Sequence, residues 1–144
     1  MTIEIRQVSH PEAVKGFDTA ELRRHFLIET LFAAGEVRLT YSHLDRVIVG
    51  GAMPTTGAIV LPTPKAVGTD AFLKRRELGI VNVGGPGKVS VGGKDYALAK
   101  RDALYVGKEA GKVSFASDDA SNPAKFYLLS TPAHAVHPTK VIRE

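Results

Sequence analysis

From residue 77 to residue 130 the chain repeats one local pattern, a short run of β-branched, aliphatic or aromatic residues closed by glycine, proline, aspartate or serine. Residues 78–83 run into Gly84-Gly85-Pro86-Gly87, and residues 89–91 face residues 96–98 across Gly92-Gly93-Lys94-Asp95, where glycine supplies the positive φ of a tight hairpin. Residues 103–106, 113–116 and 126–129 follow at similar spacing. Runs this short, so evenly punctuated, predict an all-β antiparallel sandwich or barrel.

The N-terminal part starts differently. Ser9 with Glu12, and Asp18 with Glu21, have the spacing of helix capping boxes, which predicts short helical turns over 10–16 and 19–25. Further strands are expected at 26–32, 37–41, 46–49 and 58–61, with a proline-containing loop at 62–71. Residues 131–144 read as an extended tail. No internal repeat or compositional break divides the 144 residues, so one domain over 1–130 plus the tail is expected, a size sufficient for a single core.

Composition narrows the function classes. With no cysteine, disulfides, thiolate catalysis and cysteine-ligated zinc are excluded. The first residues, MTIEIRQVSHPEAVKGF, lack the basic start and apolar run of a secretion signal, and no segment has the roughly 20 apolar residues of a membrane span. A soluble, cytoplasmic protein is expected. The formal charge of +4 comes from basic residues scattered through strands and turns with few aromatics between them, so a solvated surface is expected and not a nucleic-acid or membrane partner. Gly84-Gly85-Pro86-Gly87 is followed by a strand and by no Lys-Ser or Lys-Thr pair, which argues for a turn and against a phosphate loop. There is no Gly-x-Ser-x-Gly elbow of a serine hydrolase.

Two blocks carry the candidate chemistry: YSHLDRVIVGG at 41–51 and RRELGIVNVGG at 75–85. Each sets charged groups, a ring or an amide among strand formers, which is costly in a core unless those groups are paired or face a cavity. Were 43–49 extended, His43 and Asp45 would share one face and Arg46 the other. The planar fork of Arg46 suits a carboxylate, and Arg76 is a second candidate for the same task. Glu77 is a candidate general base, with His43 beside it as a catalytic candidate. Asn82, between Val81 and Val83, is expected to satisfy hydrogen bonds in the core. His10 and His25 lie near the helical turns, and His134 and His137 in the tail, too dispersed to converge on a metal.

The rhythm of 85–129 is that of a cupin jelly roll. Its second motif ordinarily supplies a histidine where this chain has Lys108-Glu109-Ala110-Gly111-Lys112, and its first motif, two histidines one residue apart and then a glutamate, is absent around His43. No metal is therefore expected in this chain. The two blocks, together with RRHFLIETLF at 23–32, RDALYVGK at 101–108, PAKFY at 123–127 and the later PAH and PTK, resemble the N-terminal half of the 4-deoxy-L-threo-5-hexosulose-uronate ketol-isomerase family. That resemblance implies a cupin-like sandwich and a ketol-isomerase of pectin and uronate catabolism, which interconverts 4-deoxy-L-threo-5-hexosulose uronate and 3-deoxy-D-glycero-2,5-hexodiulosonate. It further implies a second cupin domain beyond residue 144 holding a divalent metal, zinc, and a homo-oligomer, a hexamer. On this reading the isolated chain is inactive. Two alternatives stay open: a stand-alone, non-enzymatic sugar-acid-binding or interaction module, and metal-independent isomerisation by Glu77 and His43.

Overall fold

The computed structural model describes residues 2–144. Two helices near the N-terminus, α1 (Pro11–Val14) and α2 (Thr19–Phe26), follow a first strand β1 (Thr2–Arg6). The rest is strand: β2 (Val37–Ser42), β3 (Ile48–Ala52), β4 (Ile59–Val60), β5 (Arg76–Asn82), β6 (Gly87–Val91), β7 (Lys94–Leu98), β8 (Ala103–Val106), β9 (Val113–Ser117), β10 (Phe126–Pro132) and β11 (Lys140–Ile142). A 3-10 turn at Lys65–Val67 interrupts the expected loop.

The larger sheet runs β1-β2-β3-β10-β5-β8-β11 and the smaller β4-β9-β6-β7. Taking β3 to β10 as eight consecutive strands, the first, eighth, third and sixth form one sheet and the second, seventh, fourth and fifth the other. That order is the double Greek key of a jelly roll. The cupin-like sandwich expected from the sequence is therefore the architecture, with β1 and β2 added at one edge of the larger sheet and β11 at the other.

Strand alternation fills the space between the sheets. In β5 the burial pattern alternates residue by residue, so that Arg76, Leu78, Ile80 and Asn82 point inward and Glu77, Gly79 and Val81 outward. Ile48, Leu78, Ile80, Val89, Leu98, Leu104, Val106, Phe115, Phe126 and Leu128 are each at most 1% exposed, and the rings of Phe115 and Phe126 meet at 5.5 Å. The interior is a packed apolar core.

Several boundaries differ from expectation, each for a local reason. Asp18 and Glu21 form the expected capping box, but Ser9 does not cap α1. Pro11 occupies the first helical turn, so His10 is the cap, its Nδ1 accepting from the Glu12 amide at 3.1 Å. Residues 26–32 are not a strand: Phe26 closes α2, and the following segment crosses the outer face of β3. The crossing is so close that a Cβ on Gly51 would strike the Leu31 carbonyl and lie 2.9 Å from Phe32 Cδ1. Residues 43–46 are not extended either. Asp45 (φ 52°) and Arg46 (φ 55°) are the two left-handed residues of a tight turn in which the Val47 amide donates to the Leu44 carbonyl at 3.3 Å. β1 was not anticipated; it pairs in parallel with β2. Of the expected tail, 131–132 continue β10, and 140–142 return as β11 antiparallel to β8.

Candidate functional site

The first block builds the hairpin β2–β3, and its turn is held from below by the second block. Arg76, 5% exposed at the start of β5, sends its guanidinium across β10 toward that turn. Nε donates to Ser130 Oγ at 3.1 Å, and Nη2 to the Ser130 carbonyl at 3.0 Å and to the Arg46 carbonyl. Ser130 Oγ in turn donates to the Glu77 carbonyl at 2.6 Å. The guanidinium lies 5.9 Å from the centroid of the Tyr41 ring, and the His43 ring meets Tyr41 edge-on at 5.2 Å. Among the described residues, Arg76 has no carboxylate partner. Burial pushes its guanidinium below the ordinary arginine range; Tyr41 opposes that shift and neighbouring Arg46 adds to it.

His43, Asp45 and Arg46 themselves are exposed at the hairpin tip. Since Glu77 follows Arg76 directly in a strand, its side chain leaves by the opposite, outer face. There it is half-buried, and Oε2 accepts from the Tyr105 hydroxyl on β8 at 2.7 Å. This bond is the main reason the Tyr105 hydroxyl is held above its ordinary range, with desolvation and the Glu77 charge acting in the same direction. The structure thus joins Arg76 to the backbone of Arg46, sets Arg76 and His43 each against the Tyr41 ring, and places Glu77 with a different partner on the other side of the sheet. Tyr41, Ser130 and Tyr105 escaped the sequence reading. The available signal was a polar tip or hydroxyl at an inward or paired position of an otherwise apolar strand.

Asn82 is fully buried and fully satisfied. Nδ2 donates to the carbonyls of Gly85 at 2.8 Å and Leu98 at 3.0 Å, and Oδ1 accepts from the amides of Gly84 at 3.1 Å and Lys125 at 3.3 Å. It ties the glycine turn after β5 to the entry of β10, which accounts for an amide in the second block. A Cβ on Gly85 would collide with the Asn122 carbonyl, accounting for the last glycine of that block.

The donor set does not fit a metal ion. Among the described residues no three histidine, aspartate or glutamate side chains converge. His10 caps α1, and His25 stacks on Phe17 at 4.7 Å with Nδ1 2.9 Å from Ser9 Oγ. His134 and His137 are exposed in the segment leading to β11. Three surface grooves lie along α2, β1 and β2. One of about 570 Å³ is lined by residues that include Arg6, Arg23, Arg24 and Arg38, and none of these three is lined by His43, Arg46, Arg76 or Glu77. Arg6, Arg23 and Arg38 are already paired with Glu4, Glu29 and Glu36. No helix of the described residues is long and apolar enough to cross a membrane.

Strand order, an apolar interior and polar groups confined to hairpin tips and sheet faces define a cupin-type jelly roll without a metal cage among the described residues. The chain belongs to the KduI/IolB family, whose sequence profile matches residues 26–144. It is 49% identical over 140 residues to the 4-deoxy-L-threo-5-hexosulose-uronate ketol-isomerase of Caldicellulosiruptor bescii, covering 97% of this chain and 51% of that protein. The enzymes of the same name from Lacticaseibacillus paracasei (48% identity, 94% of this chain, 48% of that protein) and Yersinia pseudotuberculosis (49%, 97% and 51%) match similarly. The chain thus spans about half the length of the curated relatives it matches. Solved structures similar to it include a cupin protein from Bacteroides fragilis, with a TM-score of 0.43 and 16% identity over 64% of this chain and 69% of that one. The Cnp3 cupin domain of Schizosaccharomyces pombe is another, with a TM-score of 0.44 and 14% identity over 60% and 56%.

Proposed function

We propose that this chain is the N-terminal half of a ketol-isomerase acting on 4-deoxy-L-threo-5-hexosulose uronate in pectin and uronate breakdown, and that its task is to brace and assemble the catalytic half. The observation that carries this reading is a match over nearly the whole chain to isomerases twice its length, on a sandwich whose interior is filled with apolar side chains. Moving a carbonyl between adjacent carbons of a sugar acid needs a base to carry the proton and an electrophile for the enediolate oxygens. In this reading the electrophile, a divalent metal such as zinc, belongs to the companion half. The assembled enzyme is then a cytoplasmic homo-oligomer, a hexamer if it follows the family.

A second reading gives this half direct contact with substrate. It is favoured by the hairpin tip, where the Arg46 backbone is clamped by Arg76 while its own side chain is exposed. A guanidinium on a backbone fixed in this way can hold a uronate carboxylate at the boundary with a second domain.

The experiment is reconstitution. The chain is purified without an affinity tag, its metal content measured by elemental mass spectrometry, and isomerisation assayed alone and after addition of the C-terminal half of the Caldicellulosiruptor bescii relative. The expected result is negligible metal and no turnover alone, with turnover on adding the companion. Equimolar metal and turnover by the chain alone would overturn the proposal. Restored turnover that falls in Arg46→Ala through a raised KM would select the second reading over pure bracing.

A further inference from the structure

The larger sheet ends in an unpaired strand. β1 lies at its edge, bonded on one side only to β2. The Arg6 carbonyl accepts from the His43 amide at 2.9 Å, so the peptide groups of Arg6 face β2. Alternation then turns those of Glu4 the same way and those of Ile3 and Ile5 outward, toward the open edge. No backbone partner satisfies Ile3 or Ile5 there among the described residues. An open edge of this kind is a template for another strand.

The side chains along β1 state which strand it fits. Glu4 and Arg6 project from one face, joined by a 2.8 Å pair, and Ile5 projects from the other, 53% exposed. We infer that β1 pairs antiparallel with β1 of a second copy of this chain, about a two-fold axis through Ile5. In that register Ile5 faces its own copy and the two exchange a reciprocal pair of amide hydrogen bonds. Glu4 then stands opposite the partner's Arg6 and Arg6 opposite the partner's Glu4, so that two in-chain ion pairs become one square of alternating charge. A two-fold axis through Glu4 would instead oppose like carboxylates, which is destabilising at cross-strand distance. The strand is self-complementary in one register, as an isologous interface requires. The two larger sheets become one continuous sheet, and the exposed Ile5 side chains cover each other on its inner face. The inference does not depend on the isomerase reading, since it rests on the edge alone.

Amide hydrogen exchange, read with light scattering on a dilution series of this chain, tests it. The Ile3 and Ile5 amides should be protected when the chain is dimeric and exchange freely when dilution makes it monomeric. Ile5→Pro removes an outward donor without touching the β1–β2 ladder, and the loss of two hydrogen bonds should weaken the dimer roughly 30-fold. Glu4→Lys, which places a cation opposite the partner's Arg6 and leaves the backbone free, should weaken it as well, most at low salt, where the new repulsion is least screened. The inference is overturned if the chain stays monomeric throughout the series, or if a dimer leaves both amides unprotected. It is equally overturned if neither variant changes the dissociation constant, or if the amides become protected only on binding the companion half.

Discussion

Replacing Arg76 with methionine separates a structural guanidinium from a substrate-facing one. The side chain is 5% exposed, carries its charge without a carboxylate partner, and donates three hydrogen bonds, two to backbone carbonyls and one to Ser130 Oγ. Methionine fills a similar volume with no donors, so the Arg46 carbonyl and Ser130 Oγ lose the guanidinium, while the Ser130 carbonyl keeps its place in the β10–β3 ladder. Leaving each unsatisfied costs about 1–3 kcal/mol. Relief of the desolvated charge offsets part of this, because a buried cation without a counter-ion is itself unfavourable. A net loss of about 2–4 kcal/mol is expected, against the total of about 5–15 kcal/mol typical of a domain. For a chain of this length, 3 kcal/mol corresponds to a fall in Tm of about 10 °C. Urea unfolding followed by circular dichroism should show a lower midpoint at unchanged m. The hairpin turn should also loosen, because the Arg46 carbonyl has lost its clamp, and faster amide exchange at residues 43–47 would report that. A loss below about 1 kcal/mol with unchanged exchange at the tip would refute this account. If such a variant also lost affinity for a uronate in the reconstituted enzyme, Arg76 would have to be returned to the substrate.

Asn82→Ala should be among the most damaging single changes, costing about 3–5 kcal/mol in urea unfolding, since it removes a fully buried side chain that serves two carbonyls and two amides. Ultraviolet titration should show a tyrosine step above the ordinary range, and Tyr105→Phe should remove that step. The folded-state pKa of Tyr105 is raised, so its stabilising contribution is complete below the ordinary tyrosine pKa and is lost as pH climbs through the raised one. Asp102 is held below the ordinary carboxylate range, chiefly by Arg143 and then by the Ala99 amide. Its contribution is present above the ordinary carboxylate pKa and lost as pH falls through the depressed value. Asp102→Asn should thus unfold more readily than the parent near neutrality and converge with it in acid, and β11 should be the first element released from the sheet.

The core strands were legible because their signals are local. A short run of aliphatic, β-branched or aromatic residues between turn residues fixes a strand to within a residue or two, as for β6 to β9, and the capping box at Asp18 fixes the start of α2. What escaped depends on contacts between distant residues. Residues 26–32 carry strand-forming side chains, yet the segment lies over Gly51, a placement visible only once β3 exists to be crossed. Asp45 and Arg46 adopt left-handed angles with no glycine to announce them, because the flanking strands demand a tight turn. The same limit governs the site. A charged run at a strand entrance reads identically whether its residues are solvated or buried, and only alternation, anchored by Leu78 and Ile80 in the core, sends Arg76 inward and Glu77 outward. Asn82 could be read as a core amide, but its partner at Lys125 is 43 residues away.

These placements bear on what a sandwich with a filled interior can contribute to a reaction. A jelly roll offers its interior, its two sheet faces and its loop tips, and here the interior is closed by Phe115, Phe126, Leu78, Leu104 and Leu128. Any chemistry must then use groups that leave the core. The exposed tip at His43 and Arg46, the Glu77–Tyr105 pair on the outer face and the open edge at β1 are such groups; the edge adjoins the tip through the Arg6–His43 backbone bond, whereas Glu77 leaves β5 by the face opposite to Arg76. Fixed positions of this kind suit contact with other domains better than a self-contained catalytic centre, in which acid, base and electrophile must lie within a few ångströms of one substrate. Arg76 connects the interior to the tip, so a core substitution that shifts β5 against β10 should alter how Arg46 is presented. In an assembled isomerase that coupling would appear as a change in KM caused by residues that never touch the substrate.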